Sequence, residues 1–226
     1  EPMQLSAGPQ SDPVQPQIMK QSVPSWAIPY TKPAQAPAAP RSPSDLGGDK
    51  VLPSGAPQDA ENAKRLGTAV HRLLEVLPNA PQDQWGNIAQ RLVEADIQAA
   101  AFQEARAVLQ QPQLAYIFAP ESLAEVDISA HLPELNGDPI QGSIDRLLIS
   151  PTRVLAVDFK SNQIVPSEVA QVPSGLLRQM GAYAAALSQI YPHHDIETAI
   201  LWTKTLELMP LPPDLVISSL ANTSPA

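Results

Sequence analysis

The stretch GSIDRLLISPTRVLAVDFKS, residues 142–161, decides the reading of this chain. Two short runs rich in Ile, Leu and Val flank Ser150-Pro151-Thr152, a turn composition, so the stretch reads as two antiparallel strands with a tight connection. Side chains alternate along a strand, which turns Val154, Ala156, Asp158 and Lys160 one way and Leu155, Val157 and Phe159 the other. Asp158 and Lys160 therefore project together from the end of an apolar strand, roughly 7 Å apart at their Cα atoms. The preceding run supplies Asp145, and the short connection brings it beside Asp158. Two carboxylates that close repel, and one is pushed toward its protonated form unless a hard cation such as Mg2+ or Mn2+ lies between them. A plainer arrangement uses the same residues: Asp145 paired with Arg146 or Arg153, and Asp158 with Lys160 in an edge salt bridge.

Outward from this hairpin, LAEVDISA (residues 123–130) reads as a further strand that reaches the second run through an Asn136-Gly137 turn. Residues 176–191 return to helical spacing through Met180, Tyr183, Ala184 and Leu187; residues 196–203 read as an apolar strand, and residues 207–211 as a possible fifth. On the N-terminal side, Ala63, Leu66, Val70, Leu73, Leu74 and Leu77 form one stripe of a helix that Pro78 stops. A second long helix is predicted over residues 84–110, with Trp85, Ile88, Leu92, Ala95, Ala99, Phe102 and Leu109 on a shared face. The order is helices, three strands, helix, strand: an α/β (α+β) fold with helices flanking a sheet of four or five strands.

Composition bounds the rest. The 226 residues carry 23 acidic and 14 basic side chains and no cysteine, which excludes disulfide scaffolds, thiol enzymes, zinc ribbons and iron–sulfur proteins. No apolar run approaches the roughly 20 residues of a membrane-spanning helix, and no membrane partner is expected. Twelve of the 26 prolines fall within residues 1–60, so residues 1–58 read as a largely irregular, proline-rich tether and residues 59–226 as the folded domain. Trp26, Ile28 and Tyr30 form an apolar island in the tether that would dock on a neighbouring surface. The sequence opens on Glu1 without a signal-peptide pattern, which suggests a cytoplasmic fragment of something longer.

The motifs form an ordered set: Gly67 and His71 on the first helix, Glu125 on the first strand, Gly142 and Asp145 on the second, Asp158 and Lys160 on the third, Gln179 and Tyr183 on the next helix. This series resembles the nuclease domain of the RecB family within the PD-(D/E)XK superfamily. The surrounding text, GTAVHRLLEVLP, GSIDRLL, VLAVDFKSNQ, LLRQMGAYAAAL and AILWTKTLELMPLP, is similar to the C-terminal nuclease domain of bacterial AddA-type helicase-nucleases. The resemblance covers about residues 59–215. It implies a restriction-endonuclease-like core with a mixed sheet, and a Mg2+-dependent nuclease, with Mn2+ or Ca2+ as possible substitutes. It assigns Asp145 and Asp158 as metal ligands, with His71 and the Phe159 carbonyl completing the sphere. Lys160 would orient the attacking water, Glu125 (or its rival Asp127) would touch the metal through water, and Gln179 and Tyr183 would contact the DNA backbone or brace the ligands. His71 leans toward the helix N-terminus over Gly67, where the missing side chain leaves room.

From residue 61 onward 10 basic residues face 18 acidic ones, a poor footprint for a polyanion. The resemblance accounts for this if a helicase portion of a parent chain and an AddB-like partner subunit deliver single-stranded DNA, the tether raising its local concentration. No G-x-x-x-x-G-K-[ST] motif occurs, so ATP hydrolysis would lie elsewhere in that parent. The acidic balance keeps a second class open, a catalytically silent interaction or DNA-guiding module. No residue excludes RNA as substrate.

Overall fold

A computed structural model describes residues 39–50 and 57–223. Trp26, Ile28 and Tyr30 lie outside the described residues. Five strands form one sheet in the order β1 to β5: β1 (Leu123–His131), β2 (Pro139–Ile149), β3 (Arg153–Lys160), β4 (Asp195–Trp202) and β5 (Glu207–Leu211). All pairs are antiparallel except β3–β4, which is parallel, so the sheet is mixed. The crossover that a parallel pair requires is α4 (Ser174–Ile190). As predicted, Asn136 and Gly137 turn in the left-handed region, with φ of 58° and 79°, between β1 and β2.

Helices cover both faces, and two apolar clusters result. On one face Ile140, Ile144, Leu147, Val154, Ala156, Ile200 and Trp202 pack against α4 and α5 (Pro213–Ala221), a short helix that the sequence reading lacked. On the other, Leu155, Val157, Phe159, Ala199 and Leu201 pack against α1 (Pro57–Val76), α2 (Trp85–Leu92) and α3 (Ala95–Leu109). Central β3 is buried on both faces, hence its unbroken apolar run. Leu73, Leu74 and Leu77 are fully buried, and each such side chain contributes on the order of 2 kcal/mol.

One expectation needs correction. The single helix over residues 84–110 is two helices, with Val93 and Glu94 extended between them. The break lets Val93 enter the core while Leu92, placed by periodicity on the buried face, stays 40% exposed. Arg65 of α1 fastens the corner through Glu94 and Asp96. In addition, packed structure begins within the stretch read as tether. Arg41 bridges to Ile140, and Leu46 is 2% exposed in the core. Pro43 fills the space above Gly142, where a Cβ would stand 2.7 Å from its Cδ.

Candidate active site

The site lies where β2 and β3 part. Their ladder ends at the Arg146–Val157 pair, and the Phe159 N–H, further along β3, donates to the Asp145 carboxylate instead of to a backbone carbonyl. The cause is a slip in alternation. Ile144 and Leu147 both join the α4 cluster, whereas Asp145 and Arg146 both reach α1, so the pattern of β2 shifts by one residue at Asp145. Opposite it on β1 stands Glu125, between the Ala124–Arg146 and Val126–Ile144 pairs and itself unpaired in the register. Its φ is 47°, a left-handed conformation that a strand glutamate adopts only when the surroundings impose it.

Asp145 and Asp158 come together at this opening, each with partners of its own. His71 on α1 places Nδ1 3.3 Å from Asp145 Oδ1, an ion pair when the ring is protonated, and its ring meets Phe159 edge-on at 5.7 Å between centroids. Asp158 is 3% exposed. Its Oδ1 accepts from Gln179 Nε2 at 2.6 Å, and its Oδ2 lies against the Lys160 ammonium. The Gln179 amide also reaches Tyr183 Oη at 3.3 Å, and that phenol donates to the Ser143 carbonyl at 2.6 Å. Ser143 Oγ in turn donates to Glu125 at 3.2 Å. A bracing chain thus runs from β1 through β2 and α4 to β3.

Electrostatics separate the two aspartates. Burial pushes the Asp158 carboxyl up, against the pull of Lys160, and the Asp145 charge adds to the rise. Burial would raise Asp145 as well, but the His71 hydrogen bond and charge, the Lys160 charge and the Phe159 amide outweigh it and hold Asp145 below the usual carboxylate range. His71 is lowered by burial yet ends above its ordinary value because Asp145 binds its proton. Glu125 is raised by burial and by the Asp145 charge. The group held up and the group held down are the adjacent pair that the sequence singled out.

An open cavity of about 370 Å3 reaches Asp145, lined by Gly67, Thr68, His71, Arg72, Glu75, Glu125 and Asp145. Glu125 lines it and Asp127 does not. Gln179 and Tyr183 are buried at 5% and 3% exposure, and both touch the aspartate network. Asp145 pairs with neither Arg146 nor Arg153. Arg146 is buried, donates to the Leu74 carbonyl and covers Phe118, while Arg153 meets Glu197. The Asp158–Lys160 salt bridge forms, but inside the protein and not at an edge.

Gly67 has another use than the one expected: an added Cβ would stand 2.7 Å from Ser161 Oγ, so the glycine admits the end of β3. Ser143 and Ser161 were not among the predicted residues. Small hydroxyls in or just beyond apolar strands give no periodic signal, and the contacts with Gly67, Glu125 and Tyr183 reveal them.

The donors suit a hard divalent cation. Asp158 Oδ2 is buried without a directed hydrogen bond, and a second carboxylate stands beside it, a deficit that a cation relieves. The ligands are not closed into a cage: among the described residues no three His, Asp or Glu side chains converge on one point. The Lys160 ammonium occupies the cationic place on Asp158, and the His71 proton that on Asp145.

A mixed five-stranded sheet flanked by helices, opened between two strands beside paired carboxylates and a lysine, defines a restriction-endonuclease-like fold. The chain belongs to the PD-(D/E)XK nuclease superfamily, whose family model matches residues 47–208. Nucleases of this superfamily typically use a divalent metal. Among solved structures, the chain is similar to a Eubacterium rectale protein described as a candidate exonuclease, at 12% identity and a TM-score of 0.46, over 69% of this chain and 62% of that one. The match therefore spans less than two thirds of that protein's length. No curated protein matches the sequence. Among the described residues no helix is long and apolar enough to cross a membrane.

Proposed function

We propose that this domain hydrolyses phosphodiesters of single-stranded DNA with a Mg2+ cofactor, as the nuclease part of an AddA-type helicase-nuclease that resects double-strand breaks. The observation that carries the reading is the Asp145, Asp158 and Lys160 set at the opening between β2 and β3, with His71 on one carboxylate and Gln179 on the other.

Asp145 and Asp158 would hold the metal, with His71 and the Phe159 carbonyl as further ligands and Glu125 reaching it through water. The ion, when bound, supplies Lewis acidity and a bound water of lowered pKa. His71 would then meet the site as a neutral imidazole, and Lys160 would no longer serve as the counter-charge of Asp158. Lys160 would face the scissile phosphate, orient the water and stabilise the charge that builds on the non-bridging oxygens as the new P–O bond forms and the leaving oxygen departs. Gln179 keeps Asp158 from rotating, because its amide holds Oδ1 and its own position is fixed through Tyr183. Exclusion of Gln179 and Tyr183 from the surface leaves few groups to grip DNA, which accords with delivery by a motor and an AddB-like subunit.

The test is cleavage of end-labelled single-stranded DNA by the purified chain with Mg2+ or EDTA, beside Asp158→Ala. Metal-dependent products lost in the variant support the reading; cleavage by the variant at the wild-type rate overturns it. A second reading, a silent interaction or DNA-guiding module, is favoured by the 18 acidic against 10 basic residues from position 61 onward. It predicts no divalent-cation binding in calorimetry.

A further inference from the structure

The last residues of β3 carry the chemistry yet lack a strand partner on one side. β2 leaves the ladder after Arg146–Val157, so nothing in that register holds Asp158, Phe159 or Lys160. β4 alone continues beside them, through the Phe159–Leu201 and Lys160–Trp202 positions. One rung follows the named strands: Thr203 N–H donates to the Lys160 carbonyl at 2.9 Å. The Thr203 hydroxyl lies 2.5 Å from Glu104 Oε1 and 3.2 Å from the Lys160 carbonyl. It has one proton to give, and the nearer, charged acceptor takes it.

Glu104 is the odd residue here. It lies on α3 among the buried Ala101, Ala105 and Val108, is 8% exposed, and its other oxygen meets Lys204 Nζ at 2.6 Å. An apolar side chain would pack on that face without the desolvation a carboxylate incurs. What the carboxylate supplies is a fixed acceptor behind Thr203, which is itself 1% exposed.

We propose that Thr203, held from behind by Glu104, is a positioning residue for Lys160, the terminal clamp on a catalytic strand whose backbone ladder continues on the β4 side alone. The inference rests on the nuclease reading for its effect on rate. The Lys160 peptide is fixed at its carbonyl, which sets the root of the side chain whose ammonium must move between Asp158 and the phosphate. Groups that act on a reacting centre need placement to about half an ångström, and a slip of about 1 Å can cost on the order of a hundredfold in rate.

The experiment compares Thr203→Val, which keeps the shape and removes the hydroxyl, with Thr203→Ser, which restores it, in the whole chain. Two readouts are taken: kcat and KM on single-stranded DNA with Mg2+, and the side-chain methylene signals of 13C-labelled lysine, with Lys160 assigned from Lys160→Arg. Thr203→Val should lower kcat about ten- to a hundredfold with KM within about twofold, and should displace the Lys160 signals; Thr203→Ser should return both. Glu104→Gln, with a weaker acceptor of the same shape, should displace the Lys160 signals in the same direction by less. Unmoved Lys160 signals in both Thr203→Val and Glu104→Gln would overturn the proposal, as would a serine variant no better than valine. If the wild-type chain cuts no DNA, the nuclease reading is what fails, and the lysine signals alone then decide the clamp.

Discussion

Two buried carboxylate–lysine pairs stand at the same end of the sheet. Asp158 meets Lys160 at the end of β3, and Glu104 meets Lys204 just past the end of β4. Side-chain exposures are alike: 4% and 20% in the first pair, 6% and 29% in the second. Burial and pairing therefore do not mark a reaction site. The surroundings do. Glu104 has a threonine hydroxyl on its other oxygen and fully buried alanines beside it. Asp158 has a second aspartate beside it and a cavity beyond that aspartate, whereas in both pairs the oxygen facing the lysine lacks a directed hydrogen bond. One carboxylate thus sits among apolar side chains, while the other faces a second carboxylate whose charge a cation would offset.

The widest divergence should appear in cleavage. Asp158→Ala and Lys160→Ala should each lower metal-dependent cleavage on the order of a hundredfold or more, measured as initial rates on end-labelled DNA. Lys204→Ala, the equivalent change in the other pair, should stay within about tenfold, acting only through the Thr203 clamp. Comparable losses for Lys160→Ala and Lys204→Ala would erase the distinction. Next in size, Gln179→Ala frees one oxygen of Asp158 and should cost about ten- to a hundredfold in rate, with a matching loss of cation affinity in calorimetry.

Stability should sort the pairs in opposite directions. Glu104→Gln breaks a buried ion pair and should destabilise by about 1–3 kcal/mol in urea unfolding. Asp158→Asn removes a charge whose carboxyl the fold pushes up, so the metal-free protein should be as stable as the wild type or more so. A large destabilisation by Asp158→Asn would mean that this pair, too, is structural. The smallest effect is expected at Arg153→Ala. Its exposed pairing with Glu197 should contribute no more than about 0.5 kcal/mol, and cleavage should be unchanged, since Arg153 does not hold Asp145.

Much of this was legible in the sequence because local rules and tertiary structure agree along β3 and α4. The run VLAVDFK is apolar on both faces because it is central, and Asp158 and Lys160 share a face by simple alternation. Gln179 and Tyr183 stand one turn apart, and the structure joins both to the same network. Alternation failed at Asp145, where a slip opposite the left-handed Glu125 turns the carboxylate toward His71. Periodicity failed at Val93, where a corner tied by Arg65 divides what reads as one helix. The strap through Pro43 and Leu46 was hidden by its proline content, although Leu46 lies in the core. Glu104 and Thr203 carry no local signal at all. They lie 99 positions apart and are brought together by packing alone.

On the proposed function the aspartates hold a cation while Lys160 serves the reaction and not the binding. The decisive measurement is calorimetric titration of the chain with Mg2+ or Mn2+, run on wild type, Asp158→Ala and Lys160→Ala beside cleavage of the same samples. Lys160→Ala should bind the cation and not cut, and Asp158→Ala should do neither. Cation binding undiminished in Asp158→Ala, or cleavage undiminished in Lys160→Ala, would refute this division of roles.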